Sequence, residues 1–528
     1  MKSISFFKQH KLIIIFFFIV FFLAGLSIYK DYGISWDEKW QRDLGTLSVD
    51  YVFKGDRSLL SYKDKYYGPV FEMLLVAVER VFNLTSDSRI LYFSRHLVTF
   101  IFFYISVIFF YKLCRDKFKS WQMGLLGAVF LVLSPRIFAH AFYNSKDLPF
   151  LSVFIISIYT LFWYLERKSF FRAFCHALVC GILIDIRIMG IMVPLFTVFA
   201  FSVDFLAQGR RENFLKNIFS VFVYCLFLVI FIILFWPMLW ESPVHHFIMA
   251  FKEMSKFPWQ NHVLYMGKYI PATNLPWHYL SVWIIITTPI VYFILFFVGL
   301  FADVKECILA VKEKRKDLYI KIRDGIIFLS WFFAPIIAVI VLKSVVYDEW
   351  RQVFYIYPAF IIIALSGVRF INDLINSKLK KVTSRILWQR IFIGAILVNI
   401  FSLLGFMINA HPYENLYFNR FAGKNLQEIK HKYELDYWGT SYRKGLEYIL
   451  EHDKRAIIKV LGANTPVLLN AFILPEEDKK RIKFVETIDD AEYFISNYRW
   501  HHEDYPIKNK EVYSVERGGA KVMTVFKR

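Results

Sequence analysis

The feature that most constrains this chain is a series of apolar runs long enough to cross a lipid bilayer. Such runs occur at 12–29, 92–111, 121–138, 148–165, 173–189, 190–206, 217–240, 279–301, 324–346, 353–370 and 389–408. Since 57% of the 528 residues are hydrophobic and 20% are aromatic, one soluble core could not bury them all. The sequence therefore predicts a polytopic α-helical membrane protein with about eleven transmembrane helices.

The distribution of basic residues predicts how the helices are oriented. The 64 Lys and Arg outnumber the 44 Asp and Glu, and they concentrate at 112–119, 167–172, 210–216, 305–323 and 378–385. These short basic loops alternate along the chain, as cytoplasmic loops do in multi-pass proteins. We therefore expect a cytoplasmic N-terminus, an extracytoplasmic C-terminus and membrane lipid as a partner, and we expect no nucleic-acid partner.

The sequence becomes more polar after the last apolar run. A helical pattern covers Arg443–His452, and short alternating runs occupy Ala456–Leu461, Arg481–Val485, Ala491–Ser496, Val512–Glu516 and Lys521–Phe526. This mixture predicts a small α/β domain. We divide the chain into a transmembrane domain, 1–408, and an extracytoplasmic α/β domain, 409–528.

The loops at 31–91, 139–147, 241–278 and 347–352 are predicted to lie outside the membrane with the tail. They carry the acidic and aromatic sequence, so chemistry is expected there rather than in the basic turns. Asp37 and Glu38 follow the first span by a few residues, where a carboxylate can reach a reaction at headgroup level. The simpler alternative is that both acids are merely solvated.

Ionisable residues also occur close to or inside apolar runs. Arg136, Lys146 and Asp147 lie between two spans, and Arg187 lies within an apolar segment. Charges at such depth are costly unless they are paired or functional. Arg136 and Lys146 could equally be interfacial anchors, since long basic side chains reach the headgroups, whereas Asp147 is too short to do so.

Trp350 and Arg351 combine an aromatic ring with a guanidinium at an outer interface. A guanidinium binds phosphate oxygens with paired hydrogen bonds, and an aromatic face stacks on a sugar ring. An aromatic belt at the membrane boundary would account for the same residues. The sequence contains no Gly-rich phosphate loop, no dinucleotide fingerprint and no His-Glu-x-x-His pair, so it identifies no particular cofactor. A divalent metal ion could assist the reaction.

Several motifs resemble the bacterial members of the GT-C-type, lipid-carrier-dependent glycosyltransferases, which include the protein O-mannosyltransferases and the aminoarabinose transferase of lipid A. The motifs that carry this resemblance are Trp36-Asp37-Glu38, Tyr66-Tyr67-Gly68-Pro69, Ser134-Pro135-Arg136, Asp147-Leu148-Pro149, Arg187, Leu275-Pro276-Trp277-His278-Tyr279, Tyr347-Asp348-Glu349-Trp350-Arg351, His411-Pro412-Tyr413-Glu414 and Asp436-Tyr437-Trp438-Gly439. The chain departs from some relatives in carrying Lys65-Tyr66-Tyr67-Gly68-Pro69 where they have Lys-Pro-Pro.

The resemblance implies roles for particular residues. Its catalytic acids correspond to Asp37, as base toward the acceptor, with Glu38 beside it and Asp147 as a second acid. The donor phosphate would contact Arg187, Arg351 and Lys65. Substrate contacts would come from Trp36, Tyr67, Arg136 and Trp350.

These residues lead to one expected function and one alternative. The expected function is transfer of a sugar from a polyprenyl-phosphate donor to a protein, glycolipid or glycan acceptor, at the outer face of a bacterial inner membrane. A multi-helix transporter of a polar or lipid-linked solute is the alternative, because buried charge among many helices also suits a solute carrier.

Overall fold

The computed structural model describes residues 2–208, 214–255, 257, 259–313, 318–506 and 510–528. The predicted basic loops at 210–216 and 305–323 lie partly outside these residues. Within them, the helices that precede the tail are α1 (Lys2–Ile28), α2 (Glu38–Lys54), α3 (Ser58–Ser61), α4 (Val70–Val81), α5 (Ser88–Phe118), α6 (Trp121–Val132), α7 (Pro135–Tyr143), α8 (Asp147–Glu166), α9 (Phe170–Ile186), α10 (Met192–Gln208), α11 (Phe214–Phe235), α12 (Pro243–Ser255), α13 (Tyr279–Thr287), α14 (Ile290–Lys312), α15 (Leu318–Leu342), α16 (Tyr357–Lys378) and α17 (Val382–Ala410).

Many of these helices are long and apolar enough to cross a membrane. In the described part of the chain there are 8 such spans, or up to 10 if α6 with α7 and α13 with α14 each form one bent span. The bends within these pairs are 67° and 119°. About eleven spans were predicted, and the difference is α9, whose 17 residues are at the lower end of spanning length. The polytopic helical fold class is confirmed.

One predicted loop is largely helical. Residues 139–147 were assigned to an external loop, but α7 continues to Tyr143 and every residue from Pro135 to Tyr143 is buried. Pro135 occupies the first turn, where its missing N–H is not needed. The connection that follows is therefore only Asn144 to Lys146, and this short link places Asp147 at the first residue of α8.

The first external segment is also more ordered than a loop. It contains α2, α3 and α4, and Gly68 lies between α3 and α4 against the end of α9. A Cβ added to Gly68 would lie 1.2 Å from the backbone oxygen of Asp185. Only glycine allows the two backbones to approach this closely, so this contact holds the first segment beside α9.

The remaining elements form a hairpin and the predicted α/β tail. They are β1 (His262–Tyr265), β2 (Lys268–Pro271), α18 (Leu426–Lys430), α19 (Tyr442–His452), β3 (Ile458–Gly462), α20 (Pro466–Asn470), α21 (Glu476–Arg481), β4 (Ile482–Phe484), β5 (Tyr493–Ser496), β6 (Glu511–Arg517) and β7 (Ala520–Lys527). Strands β3 to β7 form one mixed sheet in the order β4-β3-β5-β7-β6. All five predicted strands and the predicted helix are present.

The tail packs directly on the segment that carries Asp37. The Asn470 side chain donates to the Ile34 carbonyl and accepts from the Ile34 N–H, both at 3.0 Å. Arg443 donates to the Tyr32 carbonyl at 3.0 Å. Because these bonds are to backbone groups a few residues before α2, the tail fixes where α2 begins.

Candidate active site

Four charged residues predicted from separate parts of the sequence meet at one place. Asp37 precedes α2 as its N-cap residue, Asp147 opens α8, Arg187 follows α9, and Arg351 begins the short 3-10 helix that leads into α16. The helix dipole stabilises carboxylates near helix N-termini and cations near C-termini. Asp37 and Asp147 lie at N-termini, and Arg187 lies at a C-terminus. We call these four residues the charge cluster.

The two arginines of the charge cluster share Asp147. One Asp147 oxygen accepts from Arg187 Nη2, and the other lies 3.1 Å from Arg351 Nη1. The second oxygen also accepts from Asn144 Nδ2 at 3.0 Å. Asp147 is buried with all these donors around it, so its contacts favour holding the guanidiniums in place, and its catalytic role stays a prediction.

Asp37 is the accessible carboxylate of the charge cluster. Its Oδ2 lies 3.3 Å from Arg351 Nη1, and its side chain is 28% exposed whereas those of Asp147 and Arg351 are only 1% and 2% exposed. A carboxylate that is both open and held next to a cation can approach a substrate hydroxyl. This geometry suits the predicted role of Asp37 as a base.

Glu38 faces away from the charge cluster. It is buried, and its two oxygens accept from the Ser35 N–H at 2.7 Å and contact His96 Nε2 at 3.0 Å. Adjacent residues on a helix point about 100° apart, which separates Glu38 from Asp37. Its contacts favour a structural role at the start of α2, and its predicted catalytic role stays a prediction.

Aromatic rings enclose the Arg351 guanidinium. Its Cζ lies 4.6 Å from the Trp438 ring centre and 5.0 Å from that of Tyr347. Neither Arg351 Nε nor Arg187 Nε has a hydrogen-bond partner among the described residues. Each guanidinium has five N–H donors, so both keep unused hydrogen-bonding capacity in a site that already favours anions.

Lys146 is a further basic residue of this site. From the sequence it could equally be an interfacial anchor. Its Nζ lies 3.4 Å from the centre of the Tyr67 ring, and no carboxylate of the described residues is within ion-pair distance of it. Burial and the nearby Arg187 guanidinium lower the pKa of Lys146 to about 7. Tyr67, a predicted substrate residue, is therefore placed in the site as the partner of Lys146.

The structure places three other predicted site residues elsewhere. Lys65 Nζ donates to the Leu60 carbonyl at 2.7 Å. Arg136 is buried, donating to Glu349 Oε2 at 2.5 Å and to the Tyr417 carbonyl at 3.0 Å. Trp350 is also buried and donates to Thr287 Oγ1 at 2.9 Å. These contacts favour structural roles, and the predicted donor or substrate contacts of Lys65, Arg136 and Trp350 stay predictions.

The tail supplies residues that sequence reasoning did not assign to the site. Arg499 Nη2 donates to Asp348 Oδ1 at 2.8 Å, and Asp348 Oδ2 lies 3.6 Å from Arg351 Nη2. Burial raises the pKa of Asp348 above its usual value, although Arg499 opposes this shift. The Arg499 guanidinium also covers the Trp36 ring at 4.8 Å, so Trp36 borders the site through Arg499.

The described residues include no evident metal-binding cluster. Among the described residues, no group of three or more His, Cys, Asp or Glu side chains is arranged to hold a metal ion. The charge cluster contributes two carboxylates, and both are engaged by arginines. The possible divalent ion considered from the sequence therefore stays a prediction.

Comparison with known proteins supports the resemblance seen in the sequence. Residues 69–236 match the model of the dolichyl-phosphate-mannose-protein mannosyltransferase family. This region covers less than half of the chain, and it includes Asp147 and Arg187. The resemblance to GT-C-type glycosyltransferases is thereby confirmed. No curated protein matches significantly.

Seventeen chains of solved structures match. One is ArnT from Cupriavidus metallidurans bound to undecaprenyl phosphate, with 12% sequence identity, a TM-score of 0.44 and coverage of 97% of each chain. A similarity of this degree is too low to indicate function.

Proposed function

We propose that this chain is an integral-membrane glycosyltransferase that moves a sugar from a polyprenyl-phosphate donor to an acceptor hydroxyl on the extracytoplasmic face. The observation that carries the proposal is the position of Asp37, an open carboxylate 3.3 Å from the buried Arg351 guanidinium. A base and a phosphate-binding cation are the two groups that transfer from a lipid-phosphate sugar requires.

The reaction needs one proton transfer and one displacement. Asp37 takes the proton of the acceptor hydroxyl while the acceptor oxygen forms a bond to the anomeric carbon of the sugar. The bond between that carbon and the phosphate oxygen breaks, and the polyprenyl phosphate leaves with the bonding electrons. Arg351, Arg187 and Lys146 stabilise the negative charge that develops on the departing phosphate.

The charge balance of the site favours an anionic ligand. Two arginines, Arg187 and Arg351, and the Lys146 amine, whose pKa is about 7, are gathered around two carboxylates, Asp37 and Asp147. The Asp348–Arg499 pair adds no net charge. A donor phosphate supplies the missing negative charge, whereas a neutral solute would leave buried cations uncompensated.

Two further observations support the donor class and the face. The family model that matches residues 69–236 is named for dolichyl-phosphate-mannose, a sugar carried on a polyprenyl phosphate. The α/β tail contacts the charge cluster, since the Trp438 ring covers Arg351, and Arg499 pairs with Asp348 beside Arg351. The short basic loops alternate along the chain with the loops that carry the site residues. Short basic loops are typically cytoplasmic, so the site is expected on the opposite face.

The test is to purify the full chain and measure release of lipid phosphate from a polyprenyl-phosphate sugar in wild type and in Asp37→Asn. Asn keeps the size of the side chain but cannot accept the proton at neutral pH, so kcat should fall about 10²–10⁴-fold. Asp43→Asn is the matched control, because Asp43 lies on the same helix and pairs with Lys39 at 2.7 Å.

A wild-type rate in Asp37→Asn would contradict the assignment of the base. Absence of lipid-phosphate release by the wild-type protein with every donor sugar tried, combined with uptake of a solute into proteoliposomes, would favour a transporter.

A further inference from the structure

A groove runs along the half of α17 that adjoins the tail, away from the charge cluster. Its volume is about 620 Å³, within the usual range of ligand pockets. Its lining comes from α17, the start of α14, the segment after α17 and the turn between β6 and β7, and consists of Ile290, Asn399, Ser402, Phe406, Asn409, Ala410, Leu416, Tyr417, Phe418, Asn419, Arg420, Gly423, Lys424, Asn425, Leu426, Ile429, Arg517 and Gly518. Asp37, Asp147, Arg187 and Arg351 are not among these residues.

The groove follows the surface of α17, a candidate membrane span, over about three helical turns. On α17, Asn399, Ser402, Phe406 and Asn409 follow one another at intervals of three or four residues, so they share one helix face. From Asn399 to Ala410 the helix rises by roughly 16 Å, about half of a bilayer core. Only 17% of the apolar window of α17 is buried inside the protein, so the groove opens on a face that lipid would cover if α17 spans the bilayer.

The end of the groove near the tail is basic. Arg420, Lys424 and Arg517 lie there, and none of the described lining residues is acidic. Arg420 and Lys424 are exposed, and neither has a carboxylate at ion-pair distance among the described residues. Glu428 lies beside Lys424, accepts from the Lys424 backbone N–H at 2.9 Å and pairs with Lys432 Nζ at 2.6 Å.

An exposed aromatic residue lies between Arg420 and Lys424 in the sequence. Phe421 is 61% exposed and lies next to Arg420 in the chain. An aromatic ring between basic residues is typical of segments located at the headgroup level of a membrane. The groove thus combines a cationic rim in the headgroup region with an inner part that faces the acyl chains.

We propose that this groove binds one lipid that carries an anionic phosphate headgroup. Arg420 and Lys424 contact the phosphate, and Arg517 closes the rim at the β6–β7 turn. One acyl chain lies along the α17 face formed by Phe406 and Ser402. This lipid is separate from the proposed donor, because the groove shares no residue with the charge cluster.

The test titrates phosphatidylglycerol into the purified full-length protein in phosphatidylcholine nanodiscs and counts bound lipid by native mass spectrometry. Arg420→Gln combined with Lys424→Gln should weaken binding about 30-fold, from the usual contribution of two cations at a membrane surface. Ser402→Trp, which fills the inner groove, should weaken it as well. The charge-preserving Arg420→Lys with Lys424→Arg should bind normally.

The matched control is Lys380→Gln with Lys381→Gln, two exposed cations at the opposite end of α17. It should bind phosphatidylglycerol like wild type. The proposal is overturned if this control loses as much binding as the Arg420 and Lys424 variant, if the charge-preserving variant loses binding, or if phosphatidylcholine is retained as firmly as phosphatidylglycerol.

Discussion

Asp147→Asn tests whether Asp147 positions the cations or acts in the chemistry. The side chain is buried and engages Arg187, Arg351 at 3.1 Å and Asn144 at 3.0 Å. Removing its charge leaves two guanidiniums buried with one carboxylate fewer, and breaking a buried ion pair costs about 3–5 kcal/mol. Because Asn retains the size and one acceptor oxygen, we expect a loss near the lower end, about 3 kcal/mol.

The same change should weaken donor binding, since Arg187 and Arg351 lose their common anchor. Charge-assisted hydrogen bonds contribute about 1.5–3 kcal/mol, so the KM for the lipid-phosphate donor should rise at least about tenfold. The assays are thermal unfolding of the full chain in detergent and steady-state release of lipid phosphate. Asp37→Asn should differ by lowering kcat while the unfolding midpoint stays close to that of wild type.

A double variant separates the ion pair from other effects of the substitution. Asp147→Asn with Arg187→Gln removes opposite charges together, so it should recover part of the lost stability without recovering donor binding. The reasoning is refuted if Asp147→Asn leaves the unfolding midpoint and the donor KM unchanged while kcat falls as far as in Asp37→Asn. Asp147 would then be the base.

Three other predictions concern pH, stability and topology. The donor KM should rise as pH increases through about 7, because the Lys146 ammonium loses its charge there; Lys146→Arg should flatten this profile, and a profile that Arg leaves unchanged would exclude Lys146 as its cause. Glu38→Gln should lower stability by about 1 kcal/mol with little loss of kcat, since its contacts are Ser35 and His96; lost turnover at normal stability would restore its catalytic role. A reporter fused after Arg528 should be active outside and one at Lys117 inside, and a cytoplasmic C-terminus would mean that the spans were miscounted.

Much of the fold can be predicted from the periodicity of the sequence. The main error of that prediction has a physical cause. Runs of apolar residues mark spans because lipid-facing helices have no polar side, and alternation marked the five strands of the tail. The end of α7, residues 139–143, was missed because His140 and the polar residues that follow Tyr143 indicate a loop. His140 accepts a hydrogen bond from Trp438, and Arg136 in the same helix pairs with Glu349; no local pattern indicates such distant pairing.

Site residues could be predicted from the sequence where a charged residue lies among apolar residues. Asp147 and Arg187 stand out because a charge among apolar residues is costly without a partner, and the structure makes them partners of each other. Arg499 carries no such signal, since it lies in a polar tail and meets Asp348 only through folding. Glu38 was grouped with Asp37 because they are adjacent, although neighbours on a helix face different directions.

The contact between Arg499 and Asp348 has a consequence for biosynthesis. The two residues are 151 positions apart, and Arg499 comes near the end of the chain. At about 5–20 residues per second, roughly 8–30 s of translation separate them. During that interval Asp348 has been synthesised but lacks the Arg499 guanidinium that lies 2.8 Å from it in the folded protein. The charged surroundings of Arg351 are therefore complete only after the tail has been synthesised and has packed against this loop.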